Sequence, residues 1–257
     1  MTPPTPTPPP TPAPTAAAAL RALHHDRSPE RPLVLPGPWD AASAKAFADA
    51  GFPALATPSA AIAASLGHED GETPPDEMFA AIARIVRAVP GIPVSADVEA
   101  GYGLTAKELV ARLADTGAVG CNLEDSDASG ALRDPQEQAD WLAEVRAAAG
   151  DTLVINARID TYLRGIEGTE EAVRRGRLYA EAGADCVYPI LAPPTLLAEL
   201  AAGIGLPVNA LATGNGPSPR ELGTLGATRI TFGPGLHHQA MAAVTNLAEQ
   251  LREGGGE

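Results

Sequence analysis

Four times along the chain a helix-like alternation of apolar and polar residues runs into a glycine and then into a short apolar run. The stretches are "ADAGFPALAT" at Gly51, "ADTGAVGCNLED" at Gly117, "AEAGADCVYPI" at Gly183 and "GTLGATRITFG" at Gly226. A glycine at a helix C-terminus takes the left-handed conformation that closes the last turn, and the apolar run beyond it reads as a strand. Together with the other apolar runs, the pattern predicts eight strands, at 33–36, 54–57, 92–97, 119–124, 153–158, 185–190, 206–211 and 229–232. Helical patterns such as 75–89, 106–116, 135–149 and 170–182 separate most of them. Strands that are apolar almost throughout are buried on both faces, and their alternation with helices means parallel pairing. Eight such units in about 220 residues fit an α/β fold of the (β/α)8 TIM-barrel type, with a doubly wound open sheet as the alternative.

The two ends break this pattern. Residues 1–19 (MTPPTPTPPPTPAPTAAAA) have nothing to bury and read as a disordered, polyproline-like tail; 20–253 hold the barrel with a C-terminal helical segment, and 254–257 a flexible end. His24-His25, just before the first strand, read as solvated.

Composition narrows the partners. The 257 residues carry a formal charge of −14, which argues against nucleic acid or an anionic membrane surface. No apolar run is long enough for a membrane span and the N-terminus lacks the features of a signal peptide, so a soluble cytoplasmic protein is expected. Cys121 and Cys186 sit in apolar segments and read as buried, reduced thiols.

In a barrel of this type the chemistry lies where strands end and loops toward helices begin. The second unit runs on through "SAAIAASLGHED", from Ser59 to Asp70. Strand three ends in Asp97 and Glu99, strand four in Asn122, Glu124 and Asp125, and strand five in Asn156 and Arg158 with Asp160 beyond. Carboxylates so crowded do not all stay ionised without a cation, because like charges at close range raise pKa values. An oxygen-only donor set suits Mg²⁺ or Mn²⁺. A plainer reading applies to single acids: Asp125, Asp160 and Asp40 can each cap the next helix. His237-His238 and Gly233-Pro234-Gly235 carry weak signals only.

The stretches "TPSAAIAASLGHED", "SADVEAGYG", "CNLEDS" and "INARIDTY" follow one another in the order seen in the isocitrate lyase/phosphoenolpyruvate mutase superfamily, which the chain resembles over roughly residues 33–240. The resemblance implies an α/β barrel that binds Mg²⁺ and a small 2-oxo or 2-hydroxy carboxylate and makes or breaks a C–C or P–C bond beside it. By the same resemblance, Asp97, Glu99 and Glu124 are the metal-linked acids, with Glu99 where the family has a second Asp. Arg158 is the substrate-side arginine, Asp70 the acid after the Leu-Gly pair, and Thr57, Ser59 and Ala60 the cradle for the substrate carboxylate, to which Asp97 also belongs. The expected catalytic set is thus Arg158, Glu124 and Asp70, joined by Tyr102 as a possible proton donor. The loop after strand four, Ser126 to Asp134, departs from the lyase pattern, since it has no Cys, His or Lys; Arg133, its one cation, is expected to clamp a substrate carboxylate. The leading expectation is a Mg²⁺-dependent lyase acting through a metal-stabilised enolate. The alternatives are phosphonopyruvate hydrolase or mutase chemistry and a metabolite-binding barrel without turnover. A Schiff-base aldolase is disfavoured, because Lys45 and Lys107 lie in helical patterns. The apolar spacing of Leu236, Met241, Val244, Leu247 and Leu251 predicts a homodimer or homotetramer.

Overall fold

In the computed structural model, which describes residues 15–127 and 129–254, eight short parallel strands alternate with helices in chain order. The strands are β1 (Leu33–Val34), β2 (Leu55–Ala56), β3 (Val94–Asp97), β4 (Gly120–Glu124), β5 (Val154–Ile159), β6 (Cys186–Pro189), β7 (Asn209–Leu211) and β8 (Arg229–Thr231). Each falls inside a predicted strand or within one residue of it. The helices are α1 (Ala16–His25), α2 (Ala41–Asp49), α3 (Ser59–Leu66), α4 (Pro75–Ala88), α5 (Ala106–Thr116), α6 (Pro135–Ala149), α7 (Glu170–Glu181), α8 (Leu197–Ile204), α9 (Pro219–Thr224) and α10 (Gly235–Arg252).

The sheet is curled and wholly parallel. Five strands pair in the order β2-β3-β4-β5-β6 and three in the order β1-β8-β7. Continuous ladders therefore stop at two seams, and the expected eight-stranded ring is met in part. One parallel bridge, Val187 to Val208, spans β6 and β7. At the other seam the Ala56 N–H donates to the Pro36 carbonyl, 3.2 Å away. Strands of two or three residues leave little length for a ladder, which is why these seams are thin.

The predicted helix stops hold. Gly117, for example, closes α5 at φ 81°, a conformation that a side chain would strain. Val94, Ala96, Cys121, Leu123, Ile155 and Ala157 are buried between the sheet and its helices, and both cysteines are free and buried.

The tail assignment needs correction. Residues 1–14 lie outside the described residues, as do 255–257, but α1 begins at Ala16, capped by the Thr15 hydroxyl accepting from the Ala18 N–H at 3.2 Å. Ala17, Leu20 and His24 form its buried face, so His24 is not solvated. Asp40 serves as the cap of α2, accepting from the Ser43 N–H at 2.7 Å.

Candidate active site

At the carboxyl ends of the strands a cavity of about 220 Å³ opens. The start of α3 (Thr57, Ser59, Ala60) forms one wall, and Asp70, Asp97 and Arg158 form the polar side. Leu163, Ile190 and Leu191 form an apolar side. Six of the sequence-predicted residues therefore meet here: Thr57, Ser59, Ala60, Asp70, Asp97 and Arg158.

Asp97 ends β3 and its carboxylate is fixed from several directions. Ser59 donates to Oδ2 through its hydroxyl at 3.0 Å and its N–H at 3.3 Å. The Glu99 N–H donates to Oδ1 at 3.4 Å, while the Asp97 N–H itself donates to the Thr57 hydroxyl at 3.1 Å. After Asp97 the chain turns sharply: Glu99 and Tyr102 hold φ of 52° and 55°, values that ordinary side chains rarely adopt, and Gly101 and Gly103 on either side of Tyr102 hold 82° and 69°. Backbone strain of this kind persists where the surroundings over-determine it, and it gathers at functional sites. The turn leaves Glu99 and Tyr102 off the cavity wall. The Tyr102 hydroxyl donates to Glu99 Oε1 at 3.3 Å, and its ring packs edge-on against Phe79 with centroids 6.0 Å apart.

Arg158, at the end of β5, is gripped from both sides. Its Nη1 pairs with the Glu124 carboxylate, its register neighbour on β4, and its Nε donates to Asp160 Oδ1 at 2.6 Å. These acids hold the guanidinium charged, above even its ordinary range, against the cost of burial.

The acids themselves sit above their ordinary range. Burial, then Asp97 and Asp70, push Glu99 up to about 7. Burial and the neighbouring acids likewise raise Glu124 against the pull of Arg158, and partial burial and Asp97 raise Asp70 at the cavity mouth. Burial leads in each case, and the neighbouring carboxylates add to it.

The three expected metal-linked acids do not form a direct cage. Among the described residues no three His, Cys, Asp or Glu side chains gather closely enough to cage an ion. Asp97 and Asp70 line the cavity, whereas Glu99 and Glu124 do not. The donor chemistry still fits Mg²⁺, which keeps several waters and takes only one or two carboxylates. Asp97 and Asp70 are the pair that could hold it, and a cation there would relieve the crowding that raises Asp70 and Glu99.

Two further expectations change. Arg133 does not line the cavity. Its guanidinium lies over the Trp141 ring, 5.7 Å from the centroid, and donates to Gln138 Oε1 at 3.3 Å and the Ala100 carbonyl at 3.5 Å. In this position it does not reach the cavity. Tyr102 does not line the cavity either, and burial, with Glu99 and Asp97 next in weight, raises its pKa far above the phenol range. The loop that carries Arg133 is a closed hairpin. Ser126 bridges Leu132, the Asp127 N–H donates to the Ala131 carbonyl at 2.8 Å, and the Arg133 N–H donates to the Asp125 carbonyl at 2.9 Å.

Several lining residues carried no sequence signal. Leu163, in a single 3-10 turn, and Leu191, in a loop, are 38% and 50% exposed apolar residues that no periodicity marks. Tyr188 and Thr231 complete the inner wall, above a buried amide layer in which Asn156 Nδ2 donates to Asn122 Oδ1 at 2.5 Å and to Asn209 Oδ1 at 3.1 Å. Their strand-end positions were visible; their inward direction required the curl of the sheet.

A family model described as phosphoenolpyruvate phosphomutase matches residues 20–252. Among sequence relatives, an uncharacterised protein of Mycobacterium tuberculosis is 34% identical over 234 residues, covering 90% of this chain and 88% of its own. Among solved structures, a candidate phosphonomutase of Burkholderia cenocepacia superposes with a TM-score of 0.84 at 40% identity, covering 91% of this chain and 99% of that one. A 2,3-dimethylmalate lyase, described as a PEP mutase/isocitrate lyase superfamily member, superposes at 0.82 with 28% identity, covering 95% and 90%.

Proposed function

Since the chain belongs to the phosphoenolpyruvate phosphomutase family, an enzyme family whose members related to it are carbon–carbon lyases and mutases, we propose that it is a Mg²⁺-dependent lyase acting on a small 2-oxo or 2-hydroxy carboxylate. The reaction is carbon–carbon cleavage or decarboxylation. One observation carries this reading: a small cavity at the strand ends brings the first turn of α3, Arg158, Asp97 and Asp70 together. The seam bridges between β6 and β7 and between β1 and β2 support a single closed (β/α)8 barrel around it.

Each wall has a task in this reading. The amides at the start of α3, where the helix dipole favours negative charge, receive the substrate carboxylate. Arg158 neutralises the charge that grows on the substrate as the bond breaks. Glu124 and Asp160 hold its fork in place. Asp97, with Asp70 beside it, would hold Mg²⁺, which would supply Lewis-acid polarisation of the 2-oxo group. Among the described residues Arg158 is the one cation on the cavity wall, which favours a small acid over a tricarboxylate.

The family description and the Burkholderia cenocepacia likeness support a second reading, P–C bond chemistry on a phosphonopyruvate-type substrate. One experiment separates the two. The purified protein is mixed with oxaloacetate, 2-methylisocitrate or phosphonopyruvate, with and without Mg²⁺, and products are followed by NMR. The expected result is Mg²⁺-dependent turnover of oxaloacetate, with 2-methylisocitrate slower by at least about a hundredfold, because no general acid faces it from the hairpin. Turnover of phosphonopyruvate alone would favour the second reading, and rapid 2-methylisocitrate cleavage would overturn the first.

Assembly is part of the proposal. Met241, Val244, Leu247 and Leu251 leave an apolar stripe exposed on α10, which supports a homodimer or homotetramer. A monomer mass by light scattering at micromolar concentration would refute it.

A further inference from the structure

Behind Arg158 lies a buried polar network that the proposed chemistry does not use. Asp125 is fully buried at the end of β4 and caps no helix, the N-cap of α6 being Asp134. Its Oδ1 accepts from the backbone N–H of Asp160 at 2.8 Å. Its Oδ2 accepts from Arg175 Nη1 at 3.0 Å and from the Tyr179 hydroxyl at 2.8 Å, both on α7. Arg175 reaches further, donating to the Arg133 carbonyl at 3.0 Å, and so ties down the exit of the hairpin. Ser126, the next residue, donates its hydroxyl to Asp160 Oδ2 at 2.6 Å. Three successive residues therefore grip the neighbouring strand end: Glu124 the guanidinium of Arg158, Asp125 the backbone of Asp160, Ser126 its carboxylate.

We propose that Asp125, fixed by Arg175 and Tyr179 of α7, is the positioning unit for Arg158, acting through Asp160. The proposal rests on Arg158 being the substrate-side cation, as proposed above. The physical case is one of cost. An isolated buried carboxylate is expensive, and Asp125 offsets that only with a full set of donors. Such a set has one geometry. Asp160 Oδ1 then presents to Arg158 Nε from a fixed place, because its backbone and both carboxylate oxygens are all held. A freely rotating Arg158 has two acids within reach and no reason to point its fork into the cavity. None of Asp125, Arg175 and Tyr179 lines the cavity, so any effect on turnover must travel through Arg158.

Tyr179→Phe is the first test, since it removes one hydrogen bond and keeps the packing; Asp125→Asn is the second and stronger. With the substrate turned over by the wild type, Tyr179→Phe should lower kcat about tenfold and Asp125→Asn about a hundredfold, with KM within about twofold, because a misplaced charge is felt in the transition state. A merely structural role would lower the melting temperature and leave kcat of the folded protein unchanged, and that result overturns the proposal. A readout independent of substrate separates this failure from that of the proposed activity. In ¹⁵N spectra the Arg158 Nε–H signal, identified by its loss in Arg158→Lys, should be protected from exchange in the wild type and lose that protection in both variants. An unchanged Arg158 signal in folded Asp125→Asn refutes the positioning unit whatever the enzyme turns over.

Discussion

The two ends of the strands treat charge in opposite ways. At the end where the strands begin, Asp185 stands between two guanidiniums, accepting from Arg21 Nε at 2.6 Å and Arg146 Nη2 at 2.5 Å, and from the Ile155 N–H at 2.8 Å. His24, nearby, is driven down to about 3 by burial and then by Arg229, and so is neutral; its Nδ1 bonds the Leu20 carbonyl at 2.8 Å. At the other end one guanidinium, Arg158, serves both Glu124 and Asp160 with Asp97 close by, and burial first, then the neighbouring acids, raise Glu99 and Asp70. One acid with two cations is how a fold keeps charge quiet. Two acids sharing Arg158, with further acids beside them, is an arrangement that costs stability and gathers at functional sites.

Removing the central acid of each end should break the comparison in different currencies. Asp97→Ala should lower turnover by about a thousandfold, as loss of several kcal/mol of charge stabilisation implies, without lowering the melting temperature. A variant that keeps a tenth of its activity would show that Asp97 is not central. Asp185→Ala should instead cost about 3 kcal/mol of stability, or roughly 6–12 °C in Tm, and leave kcat of the folded enzyme unchanged. Calorimetry and kinetics on the same sample decide it.

The raised acids also predict a pH dependence. Glu99 moves from an ordinary value of 4.5 to about 7 in the folded protein. Its stabilising contribution is whole below about 4.5 and is lost as pH rises through about 7, because the folded state then ionises against its neighbours. Without divalent cation the melting temperature should therefore fall between pH 5 and pH 8, and added Mg²⁺ should raise it more at pH 8 than at pH 5. Equal Mg²⁺ shifts at both pH values would mean that the rim acids are not what the ion relieves.

Much of this was legible in the sequence, for physical reasons. Glycine stops and apolar runs announce parallel strands because both follow from backbone constraints, and acids at strand ends must share one rim once the strands are parallel. What escaped depends on direction. Arg133 sits in the right loop, but only the hairpin turns it onto Trp141 rather than into the cavity. Leu163, in a single turn, and Leu191, in a loop, carry no period. The start of α1 was hidden inside a run of Ala that continues a Pro/Thr tail, although Ala17, Leu20 and His24 keep helical spacing.

Smaller effects sharpen the roles within the rim. Glu99→Asp should retain metal binding and change activity by less than about tenfold, since Glu99 does not line the cavity. Arg133→Ala should change KM by less than about twofold, an effect close to nothing on the scale of one carboxylate contact. A large rise in KM would return Arg133 to the substrate.

The most direct test of the account is a calorimetric titration of Mg²⁺ into the wild type and Asp97→Ala at pH 7.5, with far-ultraviolet circular dichroism confirming that both are folded. The account predicts one site per chain in the wild type and none in the variant. Equal binding by the two proteins, or none by the wild type, would contradict it.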